Sequence, residues 1–240
     1  SIRDRKLAGG RKIMLQLVRK EGETAKGYAY RFLRENIVAF QLEPGTCLND
    51  LELSRSMGIS RTPLREAIQK LNEESKIIEI YPQKGSWISL IDEKRVQEAQ
   101  FMRVALEQAV LVRLCDTIVP ENFEELERMV VLQKFYVESA NRQAFFDSDN
   151  EFHYTLYKFC GLEMTYQFQQ GMAIHYDRVR CNIDIMDRAS KIIRDHKAIL
   201  SALKIRNKTK VRRVLEEHIK RGEEDIARLK EKYPQYFVKT

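Results

Sequence analysis

The sequence predicts a mainly α-helical chain with one small β-hairpin: apolar residues recur every three or four positions through most of it, and only five prolines and ten glycines interrupt 240 residues. One stretch departs from that period. Between Ile77 and Leu90 the run IIEIYPQKGSWISL sets two short β-branched or aromatic segments around Pro82, Gln83, Lys84 and Gly85, the pattern of a hairpin. A hydrophobic content of 43% is enough to bury a real core in one large domain or two modest ones.

The formal net charge of +7 is uneven: residues 1–90 carry 16 Lys+Arg against 11 Asp+Glu, and residues 91–240 carry 26 against 24. A cationic N-terminal third suits phosphate backbones or anionic membrane surfaces, and a surplus this small equally suits a solvated surface. The cysteines Cys47, Cys115, Cys160 and Cys181 form no CxxC pair, and no secretory apolar region precedes them, so a reducing cytoplasm is expected. Charges interrupt every apolar run well short of the ~20 residues that cross a bilayer, so no membrane partner is expected.

Three helices should precede the hairpin. The first runs from about Lys26 to Phe40, with Ala29, Leu33, Ile37 and Phe40 on one face, and Pro44-Gly45 ends the connection after it. A very short second helix starts near Asn49 or Asp50, either able to cap it, buries Leu53 and Met57, and stops at Gly58. Ser60 is positioned to cap the third, Pro63 falls in its first turn, and Leu64, Ala67, Ile68 and Leu71 form its buried stripe. The opposite face carries Arg61, Thr62, Arg65 and Gln69. Arg61 and Arg65 lie four apart, so both guanidinium forks project from one side, where they can reach guanine edges or phosphates in a major groove. As an isolated pair they would read as two exposed arginines. In this order, with a hairpin tipped by Lys84 behind them, they read as a winged helix-turn-helix spanning 25–91.

The segment from Leu48 to Ile88, and SRTPLREAIQKL (60–71) most specifically, resembles the winged-helix head of GntR-type bacterial repressors. The resemblance implies that Arg61 and Arg65 match the family's DNA-contacting arginines, with the Lys84-Gly85 wing tip approaching the adjacent minor groove, and Thr62, on the same face as the arginines, joins the expected DNA-binding set. Some relatives carry a further basic residue where this chain has Leu51, so its base preference need not be theirs.

After Asp92, a candidate cap, amphipathic segments at about 93–116, 121–138, 141–160, 164–186, 190–205 and 209–230 predict an all-α antiparallel bundle across 92–232, with 233–240 as a tail. Three of the four histidines fall on apolar stripes of different helices. Asp149 and His153 are four apart, in line with Phe145, Leu156 and Cys160; His196 sits among Ile192, Ile199, Leu200 and Leu203, and His218 among Val214, Leu215 and Ile226. Any one of these histidines reads most simply as a hydrogen-bonded core residue. Together with Asp149 they make an N₃O set that suits a divalent Zn²⁺ or Ni²⁺ at roughly 2.0–2.2 Å, or Mn²⁺ or Fe²⁺ with added waters. His175 is left outside the set.

FMRVALE (101–107), DNEFH (149–153), HKAIL (196–200) and EEHI (216–219) resemble the FCD effector domain of FadR-like GntR regulators. The resemblance implies metal ligation by Asp149, His153, His196 and His218. It also implies that Arg103 helps clamp the carboxylate of a small organic acid beside the metal, a task that suits a guanidinium fork. An i,i+4 ion pair with Glu107 would occupy Arg103 instead, but its shared face with Val96, Ala99, Leu106 and Val110 favours an inward role. Relatives often carry Gly-Asp where this chain has Arg206-Asn207, a change expected to alter capping.

Arg3, Arg5, Lys6, Arg11, Lys12, Arg19 and Lys20 make residues 1–24 a basic extension, readable as a solvated tail or as a phosphate-contacting lead-in. The function expected is a ligand-responsive repressor, not an enzyme: a homodimer on an inverted-repeat operator in double-stranded DNA, sensing a small organic carboxylate at a metal-containing pocket. The alternatives are a metal-dependent hydrolase and a repressor that responds to metal alone.

Overall fold

A computed structural model describes residues 17–183 and 185–239, so the first sixteen residues of the expected basic extension lie outside it. The chain forms two compact units. One comprises the residues up to Val96 together with Ile174–Asn182 and the chain from Arg228 onward; the other comprises Gln97–Ala173 and Ile183–Ala227.

The first unit is built on α1 (Ala25–Val38), α2 (Asp50–Met57), α3 (Arg61–Ser75) and a hairpin of β1 (Ile78–Tyr81) and β2 (Gly85–Ile88). Thr24 caps α1 by accepting from the Gly27 N–H, and the face of Ala29, Phe32, Leu33 and Ile37 is buried. Asn49 caps α2, its side chain accepting from the N–H groups of Leu51 and Glu52, and Gly58 ends it at φ 64°, a left-handed conformation that glycine adopts without steric cost. Leu64, Ala67, Ile68 and Leu71 of α3 are buried, as their spacing predicts. Ser60 does occupy the N-cap position of α3, yet its side chain makes no capping hydrogen bond. The capping expectation therefore holds for position and fails for chemistry.

The hairpin is antiparallel, with Ile78 opposite Ile88 and Tyr81 opposite Gly85. Its turn places Gln83 at φ 60° and Gly85 at φ 83°, and the Trp87 indole donates to the Lys84 carbonyl at 2.9 Å, tying the tip to its own strand. Sequence reasoning missed a third partner: Gly45 N–H donates to Ile88 O, Ile88 N–H to Thr46 O, and Leu48 N–H to Ser86 O, each at 2.8 Å, so the segment before α2 lines the second strand.

His175 fills a core position in this unit, its Nε2 donating to the Ser75 carbonyl at the end of α3 at 2.6 Å. Arg178 donates to the Ser89 carbonyl at 2.7 Å, and Arg34 pairs with Asp177 at 3.1 Å. Residues 236–238 bracket Ile91 through backbone hydrogen bonds of 2.8 and 2.9 Å, and the Tyr236 ring packs edge-on against Phe40.

The second unit draws on α4 (Glu93–Thr117), α5 (Pro120–Glu138), α6 (Arg142–Lys158), α7 (Glu163–Arg180), α8 (Ile185–Lys204), α9 (Lys208–Lys220) and α10 (Gly222–Lys232). Asp92 accepts from the Lys94 N–H at the start of α4. Within the unit, α5 packs against α6 and α8, and α8 against α9. The run expected as one helix over 209–230 is broken at Arg221, whose carbonyl accepts from the Arg188 guanidinium at 2.8 Å while its own guanidinium reaches Asp195 at 2.6 Å. Ile226 consequently belongs to α10 and not to the helix of His218. Arg206 takes a positive φ of 53° and donates to the Cys115 and Asp116 carbonyls at 2.7 and 3.0 Å, closing the end of α4. Asn207 then caps α9.

Two stability measurements follow. Asn49→Ala should cost about 1 kcal/mol in chemical denaturation, the usual loss for a bonded cap, whereas Ser60→Ala should stay within roughly 0.5 kcal/mol; equal losses would contradict the capping geometry. Burial pulls the His175 pKa from 6.5 down to about 4, so the folded chain keeps this ring neutral. Its stabilising share is complete above pH 6.5 and falls as pH drops toward about 4, by on the order of 3 kcal/mol at 1.36 kcal/mol per pKa unit. His175→Gln, which keeps a donor for Ser75, should remove that part of the acid-side decline in a pH series of denaturant melts.

Candidate functional site

Two groups of expected site residues lie in separate units. On the winged head, Arg61 and Arg65 are exposed, as the recognition face requires, with side-chain exposures of 54% and 61%. They do not stand alone: the Asp50 carboxylate of α2 accepts from Arg65 Nε at 2.7 Å and lies 3.9 Å from Arg61. Thr62 is exposed beside them, and Lys84 and Gly85 are exposed at the hairpin turn.

In the bundle, the side chains of Asp149 and His153 from α6, His196 from α8 and His218 from α9 converge, one potential ligand atom from each lying within 4.8 Å of all the others. Donors bonded at roughly 2.0–2.2 Å to one ion need little further movement to reach that arrangement. Asp149, His153 and His196 are at most 2% exposed. Asp149 Oδ1 is 3.4 Å from His196 Nε2 and 4.0 Å from His153 Nε2. The rings pack on one another, with centroids 5.0–5.3 Å apart among the three histidines, and Phe152 stacks on His196 at 4.1 Å. Burial holds His196 well below its ordinary pKa and lowers that of His153 against the opposing pull of Glu107 and Asp149.

Each imidazole has an outer partner at Nδ1. His196 Nδ1 is 2.8 Å from Gln133 Oε1 of α5, His218 Nδ1 is 3.3 Å from Asp195 Oδ2, and His153 Nδ1 is 2.7 Å from Glu107 Oε2 of α4. His153 Nε2 and His196 Nε2 are buried and make no hydrogen bond with any described residue, and the 2.7 Å approach of His153 Nδ1 to Glu107 Oε2 is an ion-pair contact without hydrogen-bond geometry. An orphaned buried polar atom costs about 1–3 kcal/mol. Two such nitrogens facing one carboxylate fit a divalent cation, which their lone pairs would ligate. The donor set thus suits a metal on the observation of these orphans.

Arg103 is buried, as its apolar face predicts, and its Nε donates to Glu107 Oε1 at 2.7 Å. The ion-pair alternative and the inward alternative are therefore both realised. Burial would raise the Glu107 pKa, but the charges of Arg103 and the approach of His153 outweigh it and hold the carboxyl down to about 2. Glu107 consequently links the arginine to a member of the cluster.

Gln133 and Asp195 did not emerge from the sequence as site residues. A signal existed for each: Gln133 is a polar residue continuing the buried stripe of Leu126 and Val130, and Asp195 immediately precedes His196.

Comparison with known proteins gives these geometries a context. Residues 26–88 match the model of bacterial regulatory proteins of the gntR family, and residues 98–221 match the FCD domain. The chain is similar to the HTH-type transcriptional repressor RspR of Escherichia coli K12, with 31% identity over 209 residues, covering 87% of this chain and 91% of that one. It is also 29% identical over 224 residues to an HTH-type transcriptional regulator in an unstable DNA locus of Streptomyces ambofaciens, covering 92% and 93% of the two chains. Among solved structures, E. coli McbR/YncC shares the fold with a TM-score of 0.72 at 18% identity, covering 88% of this chain and 99% of that one. The chain belongs to the GntR family of bacterial transcriptional regulators, a family of DNA-binding regulators and not of enzymes, and it carries an FCD domain behind its winged helix-turn-helix.

Proposed function

We propose that this regulator is a repressor whose winged head binds an inverted-repeat operator as a homodimer in the cytoplasm, and whose helical unit senses a small organic carboxylate at a divalent metal ion. The observation that carries the reading is the buried Asp149, His153, His196 and His218 cluster with two orphaned imidazole nitrogens. Those four residues would hold the ion, which supplies Lewis acidity toward an incoming carboxylate oxygen. Zn²⁺ and Ni²⁺ suit the three-nitrogen set best, and Mn²⁺ is the next choice.

Arg103 gives the effector its second anchor. Its Nε donates to Glu107, whose other oxygen touches His153, so the guanidinium is held next to the cluster in a fixed orientation. A carboxylate binding there would meet a cation on one side and the metal on the other, which favours small dicarboxylates or hydroxyacids over neutral sugars. Effector control requires only that one conformation bind the acid better.

On the head, Arg61 and Arg65 with Thr62 would contact the major groove, and Lys84 with Gly85 the minor groove. Their exposure on one helix face and one hairpin tip supports that assignment.

The reading is tested with duplexes selected by the protein from a random-sequence pool. The logarithm of affinity should fall steeply with the logarithm of salt concentration, and Arg65→Ala should weaken binding about tenfold or more. A flat salt dependence would contradict the DNA assignment. For the sensing half, native mass spectrometry should show a dimer carrying about one divalent ion per subunit, lost in Asp149→Ala; full metal occupancy in that variant would contradict the ligand set.

A further inference from the structure

The donor cluster is surrounded by a second layer of polar groups, and one member is unlike the others. His153 and His218 face carboxylates, Glu107 and Asp195, whereas His196 faces the neutral amide of Gln133. Gln133 is fully buried and its orientation is dictated from behind. Its Nε2 donates to the Ser148 backbone carbonyl at 3.2 Å. A backbone carbonyl only accepts, so the amide nitrogen must face Ser148 and the amide oxygen must face His196. That oxygen only accepts as well, so His196 carries a proton on Nδ1, and in the neutral ring this leaves an unprotonated Nε2, buried and without a hydrogen bond, 3.4 Å from Asp149.

From this chain of single-role groups we infer that Gln133 is the positioning residue of the metal centre: by way of Ser148 it locks His196 in the one tautomer that can ligate a cation through Nε2. The inference rests on the proposed metal reading and deepens it. Without the lock, a buried His196 can move its proton to Nε2 and donate to Asp149, an internal hydrogen bond that would compete with any ion for both residues. The neutral amide does this without adding a buried charge beside His196. Gln133 makes no contribution as a ligand; it acts through the ring it orients. Outer partners of ligating histidines commonly change metal affinity by 10–100-fold.

Two readouts decide the matter. In metal-free wild-type protein labelled with ¹⁵N at histidine, long-range ¹⁵N–¹H correlation should show His196 protonated at Nδ1. Gln133→Met, which is of similar size but accepts no such bond, should lose that tautomer and bind Zn²⁺ 10–100-fold more weakly in a dye-competition titration. Gln133→Glu keeps an acceptor facing His196, and should retain the Nδ1 proton and bind Zn²⁺ at least as tightly as wild type; it keeps the test decisive should the methionine variant fail to fold. The inference is overturned by an Nε2-protonated His196 in the wild type, or by unchanged Zn²⁺ affinity in a folded Gln133→Met. Failure of the wild type to take up any of Zn²⁺, Ni²⁺ or Mn²⁺ would instead overturn the metal reading, while the tautomer of the metal-free protein still decides whether Gln133 sets the ring.

Discussion

Placing a carboxylate and three imidazoles in the middle of a helical bundle is the constraint around which the larger unit is arranged. Moving such groups out of water costs several kcal/mol unless their polar atoms find partners. The helices meet that demand in layers. Asp149, His153, His196 and His218 form the inner layer, and Glu107, Gln133 and Asp195 take up the outer nitrogens. Arg103, Arg221 and the Ser148 carbonyl in turn hold the outer layer. Apolar residues such as Phe145, Phe152, Leu156 and Ile199 then seal the stripes on which the inner residues ride. Even the break between α9 and α10 belongs to this pattern, since Arg221 turns toward Asp195, the partner of His218.

The head obeys a simpler economy. Its core is the packing of α1 against α3, and its special conformations sit at the ends of its elements: positive φ at Phe40 and Gly45 after α1, Gly58 after α2, Lys76 after α3, and Gln83 and Gly85 in the hairpin turn. The Trp87 indole ties the turn backbone to the second strand. Arg61 and Arg65 on one helix face and Lys84 at the hairpin tip remain exposed.

Much of this was legible because it is periodic. The i,i+4 spacing of Asp149 and His153, and the stripes holding His196 and His218, follow from 3.6 residues per turn. Helix ends marked by Asn49, Gly58 and Asp92 follow from cap chemistry. The misses share a cause: each depends on which atoms meet across space, far apart in sequence or in a direction the residue type does not fix. Ser60 has the right residue type at the right place and no bond to show for it. Gln133 reads from sequence as one polar residue on an apolar stripe, since nothing in its own helix announces Ser148 or His196. The pairing of residues 45–48 with β2 lacks a strand-like pattern because those residues serve one edge for only a few positions. The break at Arg221 has no proline to mark it, and arises from guanidinium contacts with α8.

The carboxylate of Asp50 between Arg61 and Arg65 has one further consequence for a head that binds DNA through those arginines. A phosphate or base edge reached by those arginines would compete with it for their N–H groups. Such a cost would not depend on sequence, and would lower the occupancy of random chromosomal DNA and of an operator by the same factor. Discrimination between them would then be left to the base edges, and the search for an operator would spend less time stalled on other sites.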